Sequence, residues 1–226
     1  MLQAAIFDFD ETMVLLEEQH DAAASRLALE HGDDYHRMPA SFRHRSGHRV
    51  IDDVDEMRRF FGWPDDLETL YARRLELFLE ECREHPAPLL PGVAEAIAAL
   101  ESRGMALAIA SSGLRPSIEE ILENLGVLRA FRAIIGGEDV TNGKPDPEPY
   151  LRAAAALGVE PRCCLVFEDS SVGVASAKAA GAVCIAVRNA LAKLPQQLDA
   201  ADLVIDGFPY LDLDAIDERW GLPPLR

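Results

Sequence analysis

Two carboxylates one residue apart close the first apolar run of this chain, in Ala4-Ala5-Ile6-Phe7-Asp8-Phe9-Asp10-Glu11-Thr12. The run reads as a buried strand, and alternation along it aims Asp8 and Asp10 the same way. Two like charges side by side in a buried place are expensive unless a cation or a proton relieves them. The pair therefore predicts a charged site at a strand end rather than a packing feature.

Three further groups sit at predicted strand ends. Ser111 and Ser112 follow the apolar run Ala106–Ala110. Lys144 lies in Gly143-Lys144-Pro145-Asp146-Pro147, and Glu168 with Asp169 follows the run Cys163–Phe167. Ligands of an open parallel sheet bind beyond the carboxyl ends of its strands, so all four groups are expected on one rim.

The elements that must position them alternate. Strands are predicted at Ala106–Ala110, Ala133–Ile135, Cys163–Phe167, Val183–Val187 and Leu203–Ile205. Helices are predicted at Ser117–Asn124, Pro147–Leu157 and Ser171–Ala180, the last two stopped by Gly158 and Gly181. This order implies an α/β fold, a Rossmann-like parallel sheet with helices on both faces. From Val14 to about His85 the pattern is helical only, with helices expected at Val14–Glu30, Val50–Phe61 and Leu67–Glu84. Residues 14–86 are thus read as an inserted all-helical domain, and residues 1–13 with 87–226 as the α/β core. The proline-rich return from Pro86 to Pro91 suits a semi-stiff hinge. Trp220 to Arg226 is expected to be a loose tail.

The 226 residues carry 39 acids against 22 Lys and Arg, a formal net charge of −17. Such a field argues against nucleic acid or an anionic membrane as partner, and it repels a phosphorylated substrate unless cations intervene. Cys82, Cys163, Cys164 and Cys184 show no CxxC spacing and read as reduced core thiols. No apolar stretch is long enough to span a bilayer, and the first apolar run ends in acids too soon for a signal peptide. The expectation is a cytoplasmic protein.

Taken together and in this order, the four motifs resemble those of the haloacid dehalogenase superfamily, in its branch of small phosphatases and β-phosphoglucomutase-like enzymes. The pattern includes Gly173 and Ala179-Ala180-Gly181 after Glu168-Asp169, and it spans residues 1–13 and 87–206. The helical insertion matches that family's cap domain. The resemblance implies that Asp8 is a nucleophile forming an aspartyl-phosphate. It implies that Asp10 protonates the leaving oxygen and then activates water. Mg²⁺ would be held by Asp8, the Asp10 backbone carbonyl and Asp169, with Glu168 a further ligand or a support for one. Lys144, Ser111 and Ser112 would bind the phosphoryl group, and Thr12 would fix the loop. Glu11 departs from the glycine most common at its position in this branch. Asp10 itself argues against carbon–halogen and carbon–phosphorus cleavage on the family's pattern.

The implied function is Mg²⁺-dependent hydrolysis of a small phosphorylated metabolite, a sugar phosphate or a phosphoglycolate-like compound. The alternatives are a β-phosphoglucomutase-type mutase and, from another class, a non-catalytic binding or regulatory protein on the same scaffold. A basic segment in the cap, with His36, Arg37, Arg43, His44, Arg45, His48 and Arg49, has two readings. Arg45, His48 and Arg49 could present cations to the substrate, as could Arg115 nearer the rim. The plainer account is a solvated loop paired with Asp52, Asp53 and neighbouring acids. Arg73 and Arg74 share this ambiguity; His20 could face the cleft, and a packed or solvent-facing histidine is its plainer account.

Overall fold

A computed structural model describes residues 1–43, 47–188 and 196–225. Its centre is a six-stranded sheet of order β3-β2-β1-β4-β5-β6, every pairing parallel. The strands are β1 (Ala4–Phe7), β2 (Ala106–Ala110), β3 (Phe131–Ile135), β4 (Cys164–Glu168), β5 (Val183–Val187) and β6 (Leu203–Ile205). All four β1 residues are buried, as a strand covered on both faces requires, which is why such strands read as unbroken apolar runs. Ala5 and Phe7 face one core, where the Phe7 ring stacks 4.8 Å from Phe167. Ala4 and Ile6 face the other, with Tyr150, Ala153 and Val166.

Around the sheet lie α5 (Val93–Ser102), α6 (Arg115–Asn124), α7 (Glu148–Leu157), α8 (Ser171–Ala179) and α9 (Leu213–Trp220). Between β1 and α5 run α1 (Glu17–Glu30), α2 (Ala40–Arg43), α3 (Val50–Phe61) and α4 (Leu67–Glu84). Helix α4 packs against both α1 and α3. Leu27, Leu70 and Leu77 are buried there, and each buried leucine contributes roughly 1.5–3 kcal/mol. The two linkers to this helical insertion run side by side: Val14 bridges both Asp10 and Leu89, and Leu90 N–H donates to the Met13 carbonyl at 2.8 Å.

Several boundaries differ from those read in the sequence. Helix α1 begins at Glu17 rather than Val14, because Val14 is engaged in the linker bridges. Strand β4 runs one residue later than expected and includes Glu168. The C-terminal segment is docked, not loose. Leu222 is buried, Leu2 N–H donates to the Gly221 carbonyl, and Arg103 reaches the Pro223 carbonyl. All four cysteines are free thiols, with Cys164 and Cys184 buried. Among the described residues no helix is long and apolar enough to cross a membrane.

Candidate active site

β1, β2 and β4 are neighbours, so the residues just beyond their carboxyl ends meet. Asp8 extends β1 by one hydrogen bond, its N–H donating to the Phe167 carbonyl. Beyond β3, the loop before α7 brings Lys144 inward. Its Nζ lies 2.5 Å from Asp8 Oδ1 and 2.5 Å from Glu168 Oε1. Thr12 Oγ1 lies 3.0 Å from Asp8 Oδ2 and 3.2 Å from Asp169 Oδ1. Asp8, Thr12, Lys144, Glu168 and Asp169 are all buried. Three stretches distant in the chain thus form one polar cluster.

Glu168 is bonded at both oxygens. Oε1 accepts from Lys144 and from the Tyr150 hydroxyl at 2.5 Å. Oε2 accepts from the Asp169 and Ser170 amides and the Ser170 hydroxyl. Gly173, in the first turn of α8, lies directly beneath: a Cβ there would come within 1.8 Å of Glu168 Oε1. The glycine is required by close approach, not by backbone conformation. Tyr150 and Ser170 were not singled out from the sequence. Ser170 was visible as the cap of α8, whereas Tyr150 gives no local signal beyond being an aromatic residue on a helix of small side chains.

The electrostatics follow from burial. Desolvation lifts the Asp8 carboxyl to about 7, against the pull of Lys144 and with the push of Glu168 and Asp10. Asp169 is raised well above the usual carboxylate range, by burial first and then by Asp8 and Glu168. Burial opposes the Lys144 charge, but Asp8 and Glu168 more than offset it and hold the ammonium above its ordinary range. Three buried carboxylates therefore face one buried cation. Asp8, Glu168 and Asp169 each offer an oxygen within 4.8 Å of the others. Since both Glu168 oxygens are hydrogen-bonded and the Asp169 carboxylate accepts only from Thr12 among the described residues, Asp8 and Asp169 have acceptor capacity to spare. This donor set, all oxygen and in excess negative charge, fits a hard divalent cation.

Asp10 occupies the cap side of the same rim. Its Oδ2 accepts from Ser111 Oγ at 3.2 Å, and Ser111 Oγ accepts from the Gly113 amide. His20, on α1, places Nε2 3.5 Å from Asp10 Oδ1. Arg74 Nη2 donates to the His20 carbonyl at 2.9 Å and lies 3.1 Å from His20 Nδ1. His20 stacks on Phe78, packed as the plainer reading expects, and it also faces the acid.

The other predicted residues separate. Ser112 Oγ donates to the Gly47 carbonyl of the cap at 2.8 Å. Arg49 forms a two-bond pair with Asp52 and also donates to the Thr141 carbonyl of the core. Arg115 pairs with Asp139. His48 is exposed, and Arg45 lies outside the described residues. For Arg49, the pairing with a neighbouring acid is the arrangement the plainer reading anticipates.

Glu11 has φ 63°, the left-handed region that favours glycine. Its Oε1 accepts from the Leu16 and Glu17 amides. The side chain thereby caps α1, whose own N-cap residue, Leu16, offers no side-chain acceptor.

Comparison with known proteins agrees with this geometry. The haloacid dehalogenase-like hydrolase family matches residues 2–181. The validoxylamine A 7'-phosphate phosphatase of Streptomyces hygroscopicus subsp. limoneus is 33% identical over 82% of this chain and 85% of its own. The β-phosphoglucomutase of Bacillus subtilis is 28% identical over 97% and 96%. Among solved structures, CbbY of Rhodobacter sphaeroides in complex with phosphate superposes with a TM-score of 0.82 at 26% identity, covering 93% of this chain and 96% of that one. With the motif residues gathered at one rim of a parallel sheet beneath a helical insertion, the chain belongs to the haloacid dehalogenase-like hydrolases.

Proposed function

We propose that this protein is a Mg²⁺-dependent phosphomonoester hydrolase acting on a small phosphorylated metabolite through an aspartyl-phosphate at Asp8. The observation that carries the reading is the contact of Lys144 with Asp8 inside the three-carboxylate cluster. A buried nucleophilic carboxylate beside a fixed ammonium is arranged to accept an anionic phosphoryl group. Asp8 and Asp169, with the Asp10 backbone carbonyl, would hold Mg²⁺, which would supply positive charge for the phosphoryl oxygens. The saturated hydrogen bonding of Glu168 supports the anchoring role over direct ligation.

In the first step Asp8 attacks phosphorus while Asp10 gives a proton to the leaving oxygen. In the second, Asp10 takes a proton from the water that attacks the phosphoenzyme. Ser111 holds the Asp10 carboxyl, and Lys144 aims Asp8 and opposes its protonation. The insertion, residues 14–86, acts as a cap that closes over the substrate and opens for product. The phosphatases among the relatives, including hexitol phosphatase B of Escherichia coli at 33% identity over 78% of this chain, support hydrolysis as the outcome.

Replacing Asp8→Asn is expected to abolish release of phosphate from p-nitrophenyl phosphate with Mg²⁺, while the fold is kept. Residual turnover in a folded variant would refute the assignment. A mutase remains the second reading, favoured by the β-phosphoglucomutase relative that aligns along nearly the whole chain. β-Glucose 1-phosphate with a bisphosphate primer separates the two: an isomer forms with a mutase, and free phosphate with a hydrolase.

A further inference from the structure

Among the described residues, Glu11 alone combines a side chain with a left-handed backbone, at φ 63°. Glycine takes that conformation freely, and an ordinary residue does not. Strain of this kind persists only where the surroundings impose it. The turn itself is closed by backbone bonds. Glu11 N–H donates to the Val14 carbonyl at 2.8 Å, and Met13 N–H donates to the Phe9 carbonyl at 2.9 Å. None of these bonds needs a glutamate.

The carboxylate leaves the turn and crosses to the cap. Its Oε1 accepts from the Leu16 amide at 2.8 Å and the Glu17 amide at 2.9 Å, at the start of α1. Free amides at a helix start favour an anion. One turn further along, His20 N–H donates to the Leu16 carbonyl, and His20 Nε2 lies 3.5 Å from Asp10 Oδ1. The path is a closed ring: from Asp10 through its peptide to Glu11, across to α1, along to His20, and back to the Asp10 carboxyl. On the core side Asp10 is touched by Ser111 Oγ at 3.2 Å. Asp10 is only half-buried, so packing alone does not fix it. Its aim depends on the turn that carries it, and Glu11 ties that turn to α1.

Resting on the hydrolase reading above, we propose that Glu11 is a positioning residue for Asp10. By gripping the first amides of α1, its carboxylate holds the acid-bearing turn so that the Asp10 carboxyl faces the leaving oxygen. Glu11 touches no reacting atom; it acts through Asp10.

Two esters of similar shape isolate that role. p-Nitrophenolate departs readily without a proton, whereas phenolate is a stronger base and needs one from Asp10 as the bond from phosphorus to its oxygen breaks. Steady-state kcat/KM with Mg²⁺ is measured on p-nitrophenyl phosphate and phenyl phosphate. Glu11→Gly relieves the backbone and removes the grip. Glu11→Asn tolerates the left-handed φ but is one methylene too short to span to α1. Each should lower kcat/KM on phenyl phosphate by about 10-fold more than on p-nitrophenyl phosphate, part of the roughly 10²–10⁴-fold that a general acid supplies. Glu11→Gln keeps the reach and an acceptor oxygen, and should keep the wild-type ratio of the two esters. Equal losses on both esters in Glu11→Gly or Glu11→Asn would reduce Glu11 to a helix cap and overturn the proposal. So would no loss, or a Glu11→Gln that behaves like Glu11→Asn. Glycine and asparagine variants each decide the question, so one that fails to fold leaves the test standing. A wild type that hydrolyses neither ester would instead strike down the hydrolase reading, and this proposal with it.

Discussion

At the scale of single residues, the site is a problem of buried charge, and its sharpest consequences come from altering one partner. Lys144→Met would leave Asp8 and Glu168 without their shared ammonium. Breaking a buried pair from one side costs about 3–5 kcal/mol, so the variant should lose stability in urea as well as turnover. Gly173→Ala would drive a methyl group into the Glu168 carboxylate. Overpacking of this kind costs about 1–3 kcal/mol, and because Glu168 holds Lys144, activity should fall further than stability does. The raised Asp8 carboxyl, near 7 against an ordinary 3.8, sets a pH dependence with a definite sign. Between those values the folded protein keeps a proton that the unfolded chain has released. Metal-free stability should therefore fall as pH rises from about 4 to about 7, with Asp169 adding to the same trend. Mg²⁺ should offset the decline most at the upper end, which melting curves at fixed pH with and without the ion would read. Asp8, Lys144, Glu168 and Asp169 were legible in the sequence because each directly follows or sits between strong local signals. Tyr150 was not, since its role depends on which helix face meets the site, and no local pattern encodes that.

At the scale of elements, the loop after β1 and the start of α1 are joined by Glu11. A glycine here would relax the backbone at φ 63° but remove two hydrogen bonds to the helix N-terminus. These effects oppose each other, each worth about 1 kcal/mol. Glu11→Gly should therefore shift stability little. Glu11→Ala keeps the unfavourable φ and loses the cap, so it should be the less stable of the two by about 1 kcal/mol. Denaturant midpoints at equal slope would rank them, and a Glu11→Ala variant no less stable than wild type would remove Glu11 from this capping role. The strands were legible because both faces of this sheet are covered, so each one reads as an apolar run. Val50–Phe61 and Leu67–Glu84 were legible through their periodicity. The start of α1 was misread, because Val14 continues an apolar pattern while its backbone is held by Asp10 and Leu89. The docking of the last residues escaped notice because it depends on Leu2 and Arg103, distant partners that a proline-rich composition does not reveal.

At the scale of the whole molecule, cap and core are in contact at several points. Ser112 bonds to Gly47, Arg49 to the Thr141 carbonyl, Arg83 to Glu120, and His20 approaches Asp10. Any Cβ on Gly47 would meet Val172 and Ser170, so the cap loop rests directly on the core. The Arg83–Glu120 pair is largely exposed and should contribute no more than about 1 kcal/mol. The net charge of −17 has a broader effect. An anionic substrate approaches against this field, and salt screens it over about 10 Å at 0.1 M. Raising ionic strength at saturating Mg²⁺ should therefore increase kcat/KM for a phosphoester while leaving kcat little changed. A steep fall with salt would point instead to steering by a local basic patch. The α/β architecture and the place of the insertion could be read from the order of the motifs. The Arg49–Asp52 pair of the basic segment was legible as well, because its partners lie three residues apart; the bond from Arg49 to the Thr141 carbonyl was not, because it exists only once cap and core meet.

On the proposed mechanism Asp8 carries the phosphoryl group. The most direct test is a borohydride quench during turnover of p-nitrophenyl phosphate with Mg²⁺, in wild type and in Asp10→Asn, followed by peptide mass spectrometry. An acyl phosphate is reduced by borohydride, so Asp8 should be recovered in part as homoserine, and more so in Asp10→Asn, where the second step is slowed. Continued turnover with Asp8 unmodified, or reduction at another carboxylate, would contradict the account.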